Sequence, residues 1–186
     1  FLAGLWLILN YADNRAADYP LIRKKYLFLL LLAPFILTEA VLQAAYFIHM
    51  NPSIITSCCG TLFSGEGTGI SADVGSLPAP LMKILFFGSM AATLASGVFF
   101  CLKGKGAWLF AGLSALNGIV SLLAILSFIS LYIYELPTHH CPFCILQKEY
   151  GYIGYPLYIS LFAGAILGVG VGVLMSFVRI GSLART

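Results

Sequence analysis

At 186 residues, with 60% hydrophobic and only 9% charged side chains and a mean hydropathy of +0.96, the chain falls outside the composition of a water-soluble domain and belongs in a lipid bilayer. That length holds one transmembrane domain over residues 1–186 with modest loops, and it excludes a separate soluble enzyme domain. The net charge of +3 comes from short basic groups beside apolar runs, which excludes a continuous nucleic-acid-binding face.

The first apolar run, Phe1 to Asn10, is too short to cross a bilayer as it stands. It is already under way at Phe1, which suggests a helix that begins earlier and a partial fifth span. Arg15, Arg23, Lys24 and Lys25 then precede the first full span, Tyr26 to His49, which meets the roughly 20 residues a helix needs to cross. Pro34 should bend this span. Glu39 sits near its middle, where a carboxyl must be protonated, paired or turned to a polar cavity. Proton handling and a structural hydrogen bond between helices are its two readings. His49 ends the span and reads most simply as an interfacial residue.

The loop from 50 to 79 is rich in glycine and serine and carries Cys58 and Cys59 side by side. Adjacent cysteines rarely bond to each other, because so small a ring forces the intervening peptide out of planar trans geometry. Each therefore needs a partner elsewhere. Gly65 to Gly69 lacks the preceding strand and following lysine of a phosphate loop, and Asn51-Pro52-Ser53 has proline where a glycosylation site forbids it.

Two more spans follow, Pro80 to Leu102 and Ala107 to Tyr134, joined through Lys103 and Lys105. Cys101 reads as a small packing residue. The loop from 135 to 152 leads to the last span, Ile153 to Val178, followed by Arg179 and Arg185. The expected fold is thus all-α, a polytopic transmembrane four-helix bundle. The cysteine loops carry Glu66, Asp73, Glu135 and Glu149 against Lys148, so the positive-inside rule places both loops on the non-cytoplasmic side. Gly164, Gly168 and Gly172 form a ridge at four-residue spacing suited to helix contact. Tyr132, Tyr134, Tyr150, Tyr152, Tyr155 and Tyr158 read as an interfacial aromatic belt.

The most specific local pattern is His139-His140-Cys141-Pro142-Phe143-Cys144, ahead of an apolar helix. A Cys-x-x-Cys segment turning into a helix brings its sulfurs within bridging distance, and Pro142 suits a first helical position. The first thiol would lie at a helix N-terminus, where unpaired N–H groups and an imidazolium from His139 or His140 favour thiolate. Redox exchange, a metal clip and a static disulfide are the three readings. The metal reading joins Cys58, Cys59, Cys141 and Cys144 with His139 or His140 around Zn or Cu(I). On a continuous helix Lys148, Tyr152 and Tyr155 would share one face below Cys144, with Lys148 placed to stabilise a thiolate or hydrogen-bond a quinone oxygen; a break at Gly151, Gly154 and Pro156 would undo that face, and a lysine snorkelling to the headgroups is the other reading of Lys148.

The run Cys-Pro-Phe-Cys-Ile-Leu-Gln-Lys, opening the last of four spans after an earlier cysteine loop on the same side, resembles the vitamin K epoxide reductase family of membrane thiol oxidoreductases. DsbB-like enzymes are similar at the local motif, but there the motif precedes the other cysteine loop. The resemblance implies a four-helix bundle around a quinone, with Cys141 and Cys144 against the quinone and Cys58 and Cys59 as the shuttle from a thioredoxin-like partner. Lys148, Tyr152 and Glu39 become the candidate quinone-site residues. The family spaces its loop cysteines apart, whereas this chain sets them together. The activity expected from the resemblance is quinone-linked thiol-disulfide exchange in a cell inner membrane. A soft-metal protein and a non-catalytic anchor subunit among other membrane subunits are the alternatives.

Overall fold

The computed structural model describes residues 1–49, 77–135 and 140–183. Among these, the chain is all-α, and four helices are long and apolar enough to cross a membrane. It is therefore a multi-pass membrane protein. The helices are α1 (Leu2–Arg15), α2 (Ile22–His49), α3 (Ala79–Lys103), α4 (Ala107–Tyr134) and α5 (Gly154–Met175). The four spans expected from hydropathy are α2 to α5. The helix at the start of the chain runs past Asn10 to Arg15 and is not among those long enough to cross.

The contacts divide into two units. The first contains α1, α2 and the chain from Val169 onward, and the second contains α3, α4 and α5 up to Gly168. In the first unit, a polar cluster fixes the turn from α1 to α2. Asp13 is fully buried; its Oδ1 accepts from the Leu21 backbone N–H at 2.7 Å and its Oδ2 pairs with Lys25 Nζ at 2.8 Å. The same ammonium donates to Asn10 Oδ1 at 3.1 Å and Asn14 Oδ1 at 3.4 Å. Trp6 Nε1 donates to the Lys25 carbonyl at 3.1 Å. Asn10, Asp13 and Asn14 share one face of α1 because they lie three and four residues apart. On the late chain, Lys24 Nζ sits 4.4 Å from the Phe177 ring centre, a cation–π contact.

In the second unit, α3 and α4 form an antiparallel hairpin through Gly104-Lys105-Gly106. Gly104 (φ 63°) and Gly106 (φ 88°) both adopt left-handed backbone that other residues resist. Gly104 N–H donates back to Phe100 O at 2.8 Å, closing the end of α3. Thr93 Oγ1 reaches the Leu113 carbonyl at 3.1 Å, and Ser89 Oγ donates to Asn117 Oδ1 at 3.0 Å, so polar groups tie the two helices in their apolar interior. The glycine ridge of α5 divides its work. Any Cβ on Gly168 would run into Ser114, whereas a Cβ on Gly164 meets nothing within 4 Å.

Helix α4 contains a π-helical turn, Ile125–Ile129. There Ser130 N–H bonds the carbonyl of Ile125 and not that of Leu126, its partner in a regular α-helix. The Leu126 carbonyl is thereby released for another donor. Such π turns gather at functional sites, and this one lies against the Cys141–Cys144 segment.

Candidate functional site

The segment from His140 to Ile153 does not continue as the helix expected from its sequence. Cys144–Leu146 and Lys148–Tyr150 are separate short 3₁₀ turns. Gln147 between them is extended (ψ 159°), and Gly151 and Tyr152 both have positive φ. Helix α5 begins only at Gly154. Two expectations change with it. Cys141 does not open an α-helix, and a three-residue turn sums too few peptide dipoles to act as a helix N-terminus toward a thiol. Lys148 and Tyr152 do not share a helical face with Cys144, because the extended Gln147 and the left-handed Gly151 and Tyr152 interrupt the helix between them. Both are exposed.

The two cysteines are nevertheless held tightly. Cys141 has no exposed surface and Cys144 is buried, and both belong to an apolar cluster with Ile125, Tyr134 and Ile145. Ile125 comes from the π turn, so the irregularity of α4 and the cysteine segment form one packed unit.

Three side chains anchor the backbone of this segment. His140 Nδ1 lies 2.9 Å from the Leu126 carbonyl. A carbonyl only accepts, so Nδ1 carries the proton and donates, leaving Nε2 as the second ring position. The Tyr134 hydroxyl donates to the Cys141 carbonyl, and its ring meets Tyr150 edge-on at 4.7 Å. The Tyr158 hydroxyl, from α5, donates to the Pro142 carbonyl at 2.6 Å. Read from sequence as part of an aromatic belt, Tyr134 and Tyr158 are here the two clamps on consecutive carbonyls of the motif. No sequence signal marks them out from the other tyrosines.

Below the clamp, the segment rests directly on the start of α5. A Cβ at Gly154 would lie 2.9 Å from the Ile145 carbonyl oxygen and equally close to the side chains of Ile145 and Leu146. Glycine is thus the residue that allows the turn to sit this low.

Beside the motif lies a cavity of about 590 Å³, lined by Leu122, Leu126, Pro142, Phe143, Tyr155 and Phe162 among others. Its walls are almost wholly apolar. A planar, lipid-soluble ring fits such walls, and the volume lies within the range of small-molecule sites. Tyr155 lines it, whereas Lys148 and Tyr152 do not.

Cys58, Cys59 and His139 lie outside the described residues. Among the described residues, no three His, Cys, Asp or Glu side chains gather closely enough to hold a metal. Glu39 belongs to the other unit, where Gln43 Nε2 donates to its Oε1 at 3.4 Å one turn along α2. His49 is exposed at the end of that helix. Compared with protein-family models, curated proteins and solved structures, the chain matches none of them.

Proposed function

We propose that this protein is a quinone-linked membrane thiol-disulfide oxidoreductase. The observation that carries the reading is a Cys-x-x-Cys motif with both cysteines buried, whose central residues, Pro142 and Phe143, form one wall of an apolar cavity of about 590 Å³. Neither feature alone supports it; a buried pair could be a static bond, and an apolar cavity could hold only lipid.

In this reading a dithiol on an extracytoplasmic, thioredoxin-like partner is oxidised, and Cys58 or Cys59 hands the reducing equivalents to Cys141 and Cys144. Each exchange is an attack of one thiolate on a disulfide sulfur, with the displaced thiolate as leaving group. The Cys141–Cys144 dithiol then closes to a disulfide, releasing two electrons and two protons. A quinone bound in the cavity would accept both and leave as the quinol. The chain's own residues supply position. Tyr134 and Tyr158 fix the carbonyls of Cys141 and Pro142, His140 ties the preceding residue to α4, and the apolar wall excludes water from the exchange. The resemblance to vitamin K epoxide reductases points the same way, and a cell inner membrane is the matching location.

The test is direct. Full-length protein in nanodiscs should oxidise dithiothreitol with matching loss of decylubiquinone absorbance, and Cys144→Ser should remove at least a hundredfold of that rate. Quinone reduction that persists in Cys144→Ser, or four outer cysteines that stay alkylation-resistant whatever the quinone supply, would overturn the proposal.

A further inference from the structure

A second cavity, of about 550 Å³, runs between α3, α4 and α5 away from the cysteine segment, from Met90 to Cys101 and Leu102 on α3. The thirteen residues from Met90 to Leu102 span about 18 Å of helix, so the space extends lengthwise along α3. Its walls are apolar except at a few points. Most of those polar groups are already engaged: Ser114 Oγ donates to Phe110 O at 2.8 Å, Ser160 Oγ to Leu157 O at 2.9 Å, and Thr93 Oγ1 to the carbonyls of Ser89 and Leu113.

Two polar groups are different. Ser89 Oγ shares its one proton between the Phe86 carbonyl and Asn117 Oδ1, each at 3.0 Å, and the Asn117 amide nitrogen has no acceptor among the described residues. Ser121, one turn further along α4 and only 7% exposed, has no hydrogen bond from its hydroxyl among the described residues. Both line the cavity, near the middle of the 28-residue span. Unsatisfied polar groups at that depth are costly, because no bulk water reaches them. A ligand that satisfied both would recover the cost.

We infer that this cavity is a binding site for a neutral, chain-bearing alcohol, with its hydroxyl between Asn117 and Ser121 and its tail along α3 toward Cys101. The two lone pairs of a hydroxyl oxygen accept from the Asn117 N–H and from the Ser121 O–H, so one group meets both demands. A charged headgroup does not fit, since nothing on these walls carries a charge. Gly164, where an added Cβ meets nothing within 4 Å, keeps the space open on the α5 side. A straight-chain alcohol and an isoprenoid alcohol share this chemistry, and the probes below separate them.

Cys101 is exposed and lines the same cavity, which makes it a reporter independent of any activity. Full-length protein in nanodiscs would be treated with N-ethylmaleimide, and modification at Cys101 followed by peptide mass. Dodecanol should slow that reaction about fivefold more than dodecane does, the advantage that one neutral hydrogen bond of about 1 kcal/mol supports. Farnesol slowing it more than dodecanol would assign the isoprenoid form, and the reverse order the straight chain. Ser121→Ala, which deletes a single oxygen and leaves the helix intact, should shrink the advantage of the alcohol. Asn117→Leu should abolish it. Equal slowing by dodecane and dodecanol would overturn the inference, as would no slowing by either alcohol, the result expected if water alone occupies the two polar groups.

Discussion

The two units solve the same problem, fixing an irregular stretch of chain beside apolar helices, by opposite means. The α1–α2 turn is fixed by charge: a fully buried Asp13 meets Lys25 at 2.8 Å with two asparagines around the ammonium. The cysteine segment is fixed by neutral groups, tyrosine hydroxyls on carbonyls and a histidine on a released helical carbonyl, inside an apolar cluster. Charge gives a strong but brittle clasp, because either partner left alone is a buried ion. Neutral clamps are weaker singly and fail gradually. Under the proposed thiol-disulfide exchange, a segment that opened and closed a disulfide would be better served by the second kind.

The contrast is sharpest at Asp13. Asp13→Ala strands the Lys25 ammonium and should cost about 3–5 kcal/mol, the range for breaking one side of a buried pair. Adding Lys25→Met removes the stranded charge and should restore most of the loss. Thermal unfolding of the detergent-purified variants measures both. A single-variant loss below about 1 kcal/mol would place the pair with ordinary surface bridges and remove the distinction between the two units.

The next effect tests how closely the cysteine segment is seated. Gly154→Ala sets a Cβ at 2.9 Å from the Ile145 carbonyl oxygen, and a backbone atom cannot swing aside as a long side chain can. The turn must lift, at about 1–3 kcal/mol by the usual cost of overpacking. Alkylation of Cys144 should quicken as its cover loosens. Gly88→Ala is the control, since a Cβ there meets nothing within 4 Å and should leave stability and alkylation unchanged.

The spans were legible because length and hydropathy decide them, and α4 begins and ends at the residues hydropathy marks, Ala107 and Tyr134. The cysteine segment was legible in composition but not in shape. Pro142 reads as a helix opening and Gly151 as a breaker, and Gly151 does take left-handed backbone; Tyr152 takes it too, where the segment rests on Gly154, a tertiary demand that local propensity does not carry. The π turn is equally silent, since Ile-Leu-Ser-Phe-Ile is an ordinary apolar helix sequence. Asp13 carries no mark in the sequence, since it follows an apolar run that reads as the end of a span, and its partner Lys25 sits in a basic group that reads only as a sign of sidedness.

The smallest effects divide the two clamps. Tyr134 is buried and holds the carbonyl of a fully buried cysteine, whereas Tyr158 is half-buried, so headgroups or water can replace its hydroxyl more easily. Both phenylalanine variants keep the ring and remove one donor, which isolates the hydrogen bond from the packing. Tyr134→Phe should cost about 1–1.5 kcal/mol and Tyr158→Phe about 0.5 kcal/mol, the upper and lower parts of the range for a neutral hydrogen bond. Alkylation of Cys141 in the folded protein should rise in the same order. Losses of equal size would mean that burial does not grade the clamps. A Tyr158→Phe loss above that of Tyr134→Phe would place the main hold on the α5 side, at the wall of the apolar cavity.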